Sequence, residues 1–225
     1  MNTTPLPKAS EITALHDRLL NTSGWPNHQM SRYQAQDGEL GELWNWVLAN
    51  HRFNSLLWAE EDLARRMTVG DAEIAANKRA IDGYNQARND ATERVDEILL
   101  ISLGLVTADS ARSDSPLAQA SAGARLNSET AGSMIDRLSI LALKVFAMQQ
   151  QTQRRDVDED HRAGSAVKLA RLQQQRSDLA ACLDTLLSDA AAGRAYFKVY
   201  RQFKMYNDPR FNPELVKEQA GNPQA

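Results

Sequence analysis

Apolar residues recur every three to four positions along most of this chain, and no stretch alternates convincingly at period two. Between Glu39 and Arg66, Leu43, Val47, Leu57 and Ala64 fall at helical spacing, with Trp44, Trp46, Phe53 and Leu56 beside them. Met67 to Gly70 breaks the pattern, and Asp71 to about Leu103 resumes it as a longer helix. Met134, Ile135, Leu138, Leu141, Val145 and Met148 carry a third helix, capped by Thr130 or Ser133. A break near Asp156 to Glu159 leads to a fourth, from Asp160 to Ala191. Breaks this short force each pair of helices to run antiparallel. The pattern predicts an all-α protein of four long antiparallel helices, arranged as two sequential helical hairpins.

Shorter segments flank this core. Residues 1–38 read as a short helix and a loop. Ser10 stands as N-cap before Ile12, Leu15, Leu19 and Leu20, and Gly24, Pro26 and Gly38 mark the loop. Residues 39–215 read as one helical domain, with a hairpin over 39–103, a linker over 104–129 rich in Ala, Ser and Gly, and a hairpin over 130–192. A short C-terminal helix is expected over 194–207, ending at Asn207-Asp208-Pro209, and a disordered tail over 216–225.

The two hairpins resemble each other. "QARNDATERVDEILL" (Gln86 to Leu100) is echoed by "QQRSDLAACLDTLL" (Gln174 to Leu187), and Arg65-Arg66 by Arg154-Arg155. The buried seam of the second helix reads Ile74, Asn77, Ile81, Tyr84, Arg88, Ala91, Val95, Ile98. That of the fourth reads Leu169, Leu172, Arg176, Leu179, Leu183, Leu186. Arg88 and Arg176 thus fall where an apolar side chain is expected. A buried guanidinium stays charged and requires a counter-charge and acceptors. Antiparallel pairing puts Arg88 level with Asn50 and His51, with Asn54 a turn away, and Arg176 level with Ser139 and Ile140, with Asp136 a turn beyond. Two inward cations with asparagines form either a structural layer that fixes helix register or a site for a phosphate or carboxylate. His51, the one histidine inside a long helix near the seam, belongs to the same candidate site.

Totals narrow the function classes. The chain has 225 residues, 42% of them apolar, and a net charge of −3, so no overall basic field favours nucleic acid. A single cysteine, Cys182, leaves no internal disulfide. No apolar run is long enough to span a bilayer and no secretory signal is apparent, which makes a soluble cytoplasmic protein the expectation. Trp25, Trp44 and Trp46 are more large apolar surface than one bundle is expected to bury, which points to a protein partner or homodimer. In "GRAYFKVYRQFKMYNDP", Lys198, Arg201 and Lys204 lie among aromatic residues, suited to a phosphate-bearing small molecule. "LNSETAGSMIDR" enters the third helix with free N–H groups, and Gly132 permits a close backbone approach.

A magnesium site is the alternative chemistry. Glu60 and Glu61, with Glu93 and Asp96, resemble the acids of all-helical nucleoside triphosphate pyrophosphohydrolases, which hold Mg2+ between adjacent helices. The expected pairing separates them, with Glu61 level with Asn77 and Glu93 about 16 residues, roughly 24 Å, further along.

Four stretches, "NHRFNSLLWAEEDLARR", "NQARNDATERVDEILL", "LNSETAGSMIDRLSILALK" and "YFKVYRQFKMYNDP", are similar to the family catalogued as domain of unknown function 4254. The resemblance covers roughly residues 40–213. It implies a bacterial, helical protein without an assigned activity, encoded often near glycosyltransferases for lipopolysaccharide or other surface saccharides. Val216 departs from the aromatic residue often found there. From these readings the expected function is an accessory protein that binds a phosphorylated sugar, a nucleotide-sugar or an acidic partner. A magnesium-dependent phosphohydrolase and a ligand-free helical scaffold are the competing expectations.

Overall fold

A computed structural model describes residues 6–27, 39–202, 205 and 208–221. The chain folds into α1 (Ala9–Leu20), α2 (Glu39–Leu63), α3 (Asp71–Ser102), α4 (Ala108–Ala111), β1 (Arg125–Leu126), α5 (Ala131–Thr152), α6 (Glu159–Ala191), β2 (Ala195–Tyr196) and α7 (Pro213–Gly221). It is all-α, and its four long helices form the two expected hairpins, α2 with α3 and α5 with α6.

Local chemistry explains where the helices begin. The Thr130 hydroxyl accepts the Ser133 N–H at 3.1 Å and opens α5. The Asp158 carboxylate accepts the His161 N–H at 2.8 Å and opens α6. Helix α1 begins before Ser10, with Lys8 as N-cap: the Glu11 carboxylate accepts the Lys8 N–H at 2.9 Å, and the Ala9 N–H donates to Asp184 of α6 at 2.8 Å. Ser10 is therefore inside the helix and exposed.

The hairpins stack in parallel. Asn50 and Asn54 of α2 meet Asp136 of α5, and further along α2 Leu57 to Arg65 share a groove with Ile140 and Leu143. Helices α2 and α5 therefore run side by side in the same direction, and both hairpin turns lie at one end. The core fills the other end, with Leu43 and Val47, Leu99 and Leu100, Ile135 and Leu138, and Leu183 to Leu187. Helix α3 packs on α2 and α5, whereas α6 packs on α5, α1 and β2 and touches neither α2 nor α3. Helix α1 fills the space beside α6, burying Ile12, Leu15 and Leu19.

Gly132 marks a close approach between the hairpins. A Cβ there would lie 2.5 Å from the Thr92 carbonyl oxygen and 2.9 Å from the Asp96 carboxyl. Its N–H donates to that carboxyl at 2.6 Å. The close approach expected at Gly132 is thus to helix α3, and Asp96 already occupies the start of α5. Burial pushes the Asp96 acid up to about 7, opposed by hydrogen bonds from Thr130 and Gly132.

The segment after α6 departs from expectation. The helix expected over 194–207 does not form over residues 194–202: β2 pairs in parallel with β1, and residues 197–202 carry neither helix nor strand. Ala195, Phe197 and Val199 are buried on one side while Tyr200 is exposed, a period of two. Residues 213–221, across the start of the expected tail, form helix α7, none of whose side chains is buried. The linker also carries short structure of its own, in α4 and β1.

Candidate functional site

A string of polar side chains crosses the molecule between the core and the hairpin turns. It starts at Arg88 of α3, whose side chain is 27% exposed and whose Nε lies 3.9 Å from Asp136 Oδ1. Asp136 accepts amide donations of 2.8 Å each from Asn50 and Asn54. Asn54 also donates to the Ser139 hydroxyl at 3.0 Å, and that hydroxyl lies 2.7 Å from His51 Nδ1. The His51 ring stacks on Trp25 at 5.5 Å and on His16 of α1 at 4.4 Å. Beyond them, Arg176 of α6 donates to the Asp17 carboxylate at 2.8 Å and to the Thr13 carbonyl at 3.0 Å.

Both seam arginines therefore point inward, but they stand on opposite sides of the string instead of in one shared layer. Asp136, expected beneath Arg176, faces Arg88. Ser139, expected level with Arg176, serves His51 and Asn54. The cause is helix α1, which inserts against α6 and supplies Arg176 with its own carboxylate. Its buried seam was readable, but its tertiary position was not.

Burial leaves both stacked histidines neutral. Desolvation, then the Arg176 charge, lowers His51 to about 3, and desolvation with the charges of His51 and Arg176 depresses His16 well below the usual range. Both ring nitrogens of His16, Nε2 of His51 and the Nε of each arginine are buried without a hydrogen bond.

Arg88 is the less satisfied of the two cations at its charged end. Its Nη2 donates to the Asn89 side chain at 3.1 Å, and its carboxylate neighbour stays at 3.9 Å, held by the two asparagines. Arg88 lines a groove of about 330 Å³ between α2, α3 and α5. Trp58, 37% exposed, lies in its wall, with Arg65, Asn85 and Asn54. Leu57, Ile140 and Leu143 supply apolar surface, and Glu61 and Asp62 supply carboxylates. Sequence reasoning missed Trp58, Arg65 and Asn85. The stripe Asn54, Trp58, Glu61, Arg65 at spacings of four, three and four was the available signal.

Other expected site residues fall elsewhere. Arg201 is a structural clamp: it donates to Glu93 at 2.9 Å, to Glu97 at 2.6 Å and to the carbonyls of Ala111 and Ser113, fastening the extended segment to α3. Lys198 lies over the Tyr196 ring, 5.9 Å from its centroid. Lys204 is outside the described residues. The four acids of the magnesium reading are held by different partners: Glu60 by Asn77, Glu61 by Arg65, Glu93 by Arg201 and Asp96 by Gly132. Among the described residues no three His, Cys, Asp or Glu side chains converge to hold a metal ion. Trp25, Trp44 and Trp46 are partly buried against the core of their own chain. No helix among the described residues is long and apolar enough to cross a membrane.

Comparison with known proteins gives a family but no activity. The family model described as protein of unknown function (DUF4254) matches residues 44–199, which include both hairpins, and the chain belongs to this family. No curated protein and no solved structure matches it.

Proposed function

We propose that this member of the family is an accessory binding protein for a phosphate-bearing small molecule, a phosphorylated sugar or nucleotide-sugar, held in the groove over Arg88. The carrying observation is that Arg88, 27% exposed, lines an open groove while its carboxylate neighbour, Asp136, stays at 3.9 Å, bound to Asn50 and Asn54. A guanidinium so placed offers charge and a donor fork to a phosphate. Trp58 offers a flat face for a sugar or base, and the carboxylates of Glu61 and Asp62 offer acceptors for hydroxyl groups. A groove of this volume is at the small end for ligand sites, which run from about 300 to 1,000 Å³. A role in surface-polysaccharide assembly is the setting implied by the family resemblance.

Thermal melts with a panel of sugar phosphates and nucleotide-sugars, with and without magnesium, test the reading. A bound member of the panel at a hundred times its Kd raises stability by about 2.7 kcal/mol. The Arg88→Met chain is expected to fold and lose that gain. If no compound stabilises the unaltered chain, the binding reading fails and the polar string serves helix register alone.

A further inference from the structure

We propose that helix α1 is a displaceable cover over a second anion site, centred on Arg176, where the Asp17 carboxylate stands in for the phosphate or carboxylate group of a ligand. Arg176 occupies the same position in the second hairpin that Arg88 occupies in the first. Arg88 is left to a groove, whereas Arg176 is closed by α1. Its side chain is 12% exposed, yet the counter-charge on it, Asp17, is 53% exposed. A carboxylate half in water gives up little on leaving its partner, so an incoming anion can replace it.

The α1 interface is also poorly matched. Both ring nitrogens of His16, Nε2 of His51 and Nε of Arg176 are buried there without partners. Buried polar atoms in native proteins are ordinarily satisfied, and each that is not weakens the contact that buries it. The apolar side chains of α1 therefore hold it down against a standing penalty. An anion at Arg176 would engage the idle Nε together with a terminal nitrogen, a fork that Asp17 does not complete.

The surroundings suit such a ligand. A cavity of about 380 Å³ beside Arg176 is also lined by Gln173 and Ser177 of α6, polar residues that stay in place when α1 moves. The acid in its lining, Asp184, is bound to the Ala9 N–H and is eight residues from Arg176, roughly 12 Å along the helix. Helix α1 also lies outside residues 44–199, the part that matches the family, whereas Arg176 lies inside it.

The test uses the full chain carrying Arg88→Met, so that the groove of the first hairpin contributes nothing and the two sites fail independently. Inorganic phosphate is titrated by calorimetry, and amide exchange of residues 9–20 is followed in parallel. Phosphate is expected to speed exchange in α1. Asp17→Asn in this background should tighten phosphate binding about fivefold, the affinity equivalent of ~1 kcal/mol. Adding Arg176→Met should abolish it. Should Asp17→Asn unfold the chain, Asp17→Ser takes its place. Unchanged exchange in α1 on adding phosphate, unchanged affinity on removing the Asp17 charge, or binding that survives Arg176→Met overturns the proposal.

Discussion

Gly132 and Asp96 meet where the two hairpins touch, and each makes a sharp prediction. At Gly132 the Cβ of an alanine would meet the Thr92 backbone, which cannot rotate away. Gly132→Ala is expected to cost about 1–3 kcal/mol as overpacking, measured by denaturant unfolding. Asp96 has a folded pKa of about 7, above its unfolded value near ~3.9. Its stabilising contribution is complete below the unfolded value and is lost as pH rises through about 7. Asp96→Asn keeps an acceptor for the Gly132 N–H and carries no titrating proton. Its melting temperature should gain on that of the unaltered chain from pH 4 to pH 8, and parallel curves would refute this. At this scale the sequence was partly readable. The seam position of Arg88 and the asparagines opposite it, Asn50 and Asn54, followed from helical spacing, whereas His51, expected level with Arg88, stands beyond Ser139 on the Arg176 side. The assignment of Asp136 to one arginine over the other did not follow from spacing, because it depends on a third helix arriving from outside the hairpins.

Helix α1 and the segment after α6 are the elements that most changed the picture. "RAYFKVYRQF" admits two periods, since aromatic residues three and four apart suggest a helix while Ala195, Phe197 and Val199 alternate with polar neighbours. Backbone pairing with β1 and the Arg201 clamp favour the extended form, and neither is visible in local sequence. Helix α1 was legible as an amphipathic helix, but His16 on its buried face carried no signal of its stacking partner. The stacked pair sets an acid limit on this element. Both imidazoles have depressed folded pKa values, so their contribution is present above the unfolded value near ~6.5 and is lost as pH falls below it. His16→Leu removes a side chain that makes no hydrogen bond. We expect the variant to be at least as stable at pH 7, with a shallower loss of stability between pH 6 and pH 4. A loss of stability at pH 7 would show a bond to the imidazole that burial conceals.

For the molecule as a whole, the parallel stacking of the hairpins puts the dense core at one end and both turns at the other. The hairpins themselves were legible, because short breaks between long periodic helices leave no other arrangement. Their relative direction was not, since the linker over 104–129 is long enough for either. Core contacts link α2, α3, α5 and α6 near residues 43–47, 95–100, 131–141 and 179–190, whereas side chains near the turns are largely exposed. Native-state amide exchange should therefore be graded, fast at 64–75 and 153–165 and slow in the core segments. Uniform protection would contradict a core confined to one end.

Phe197 has no exposed surface, yet it reaches the core only after both hairpins have been passed in the chain. During synthesis, a ribosome that has delivered α2 through α6 has produced helices on which Glu93 and Glu97 of α3 still lack Arg201. The apolar surface that Phe197 covers must wait for residues 195–202, so a chain halted after α6 is expected to aggregate more readily than the full chain.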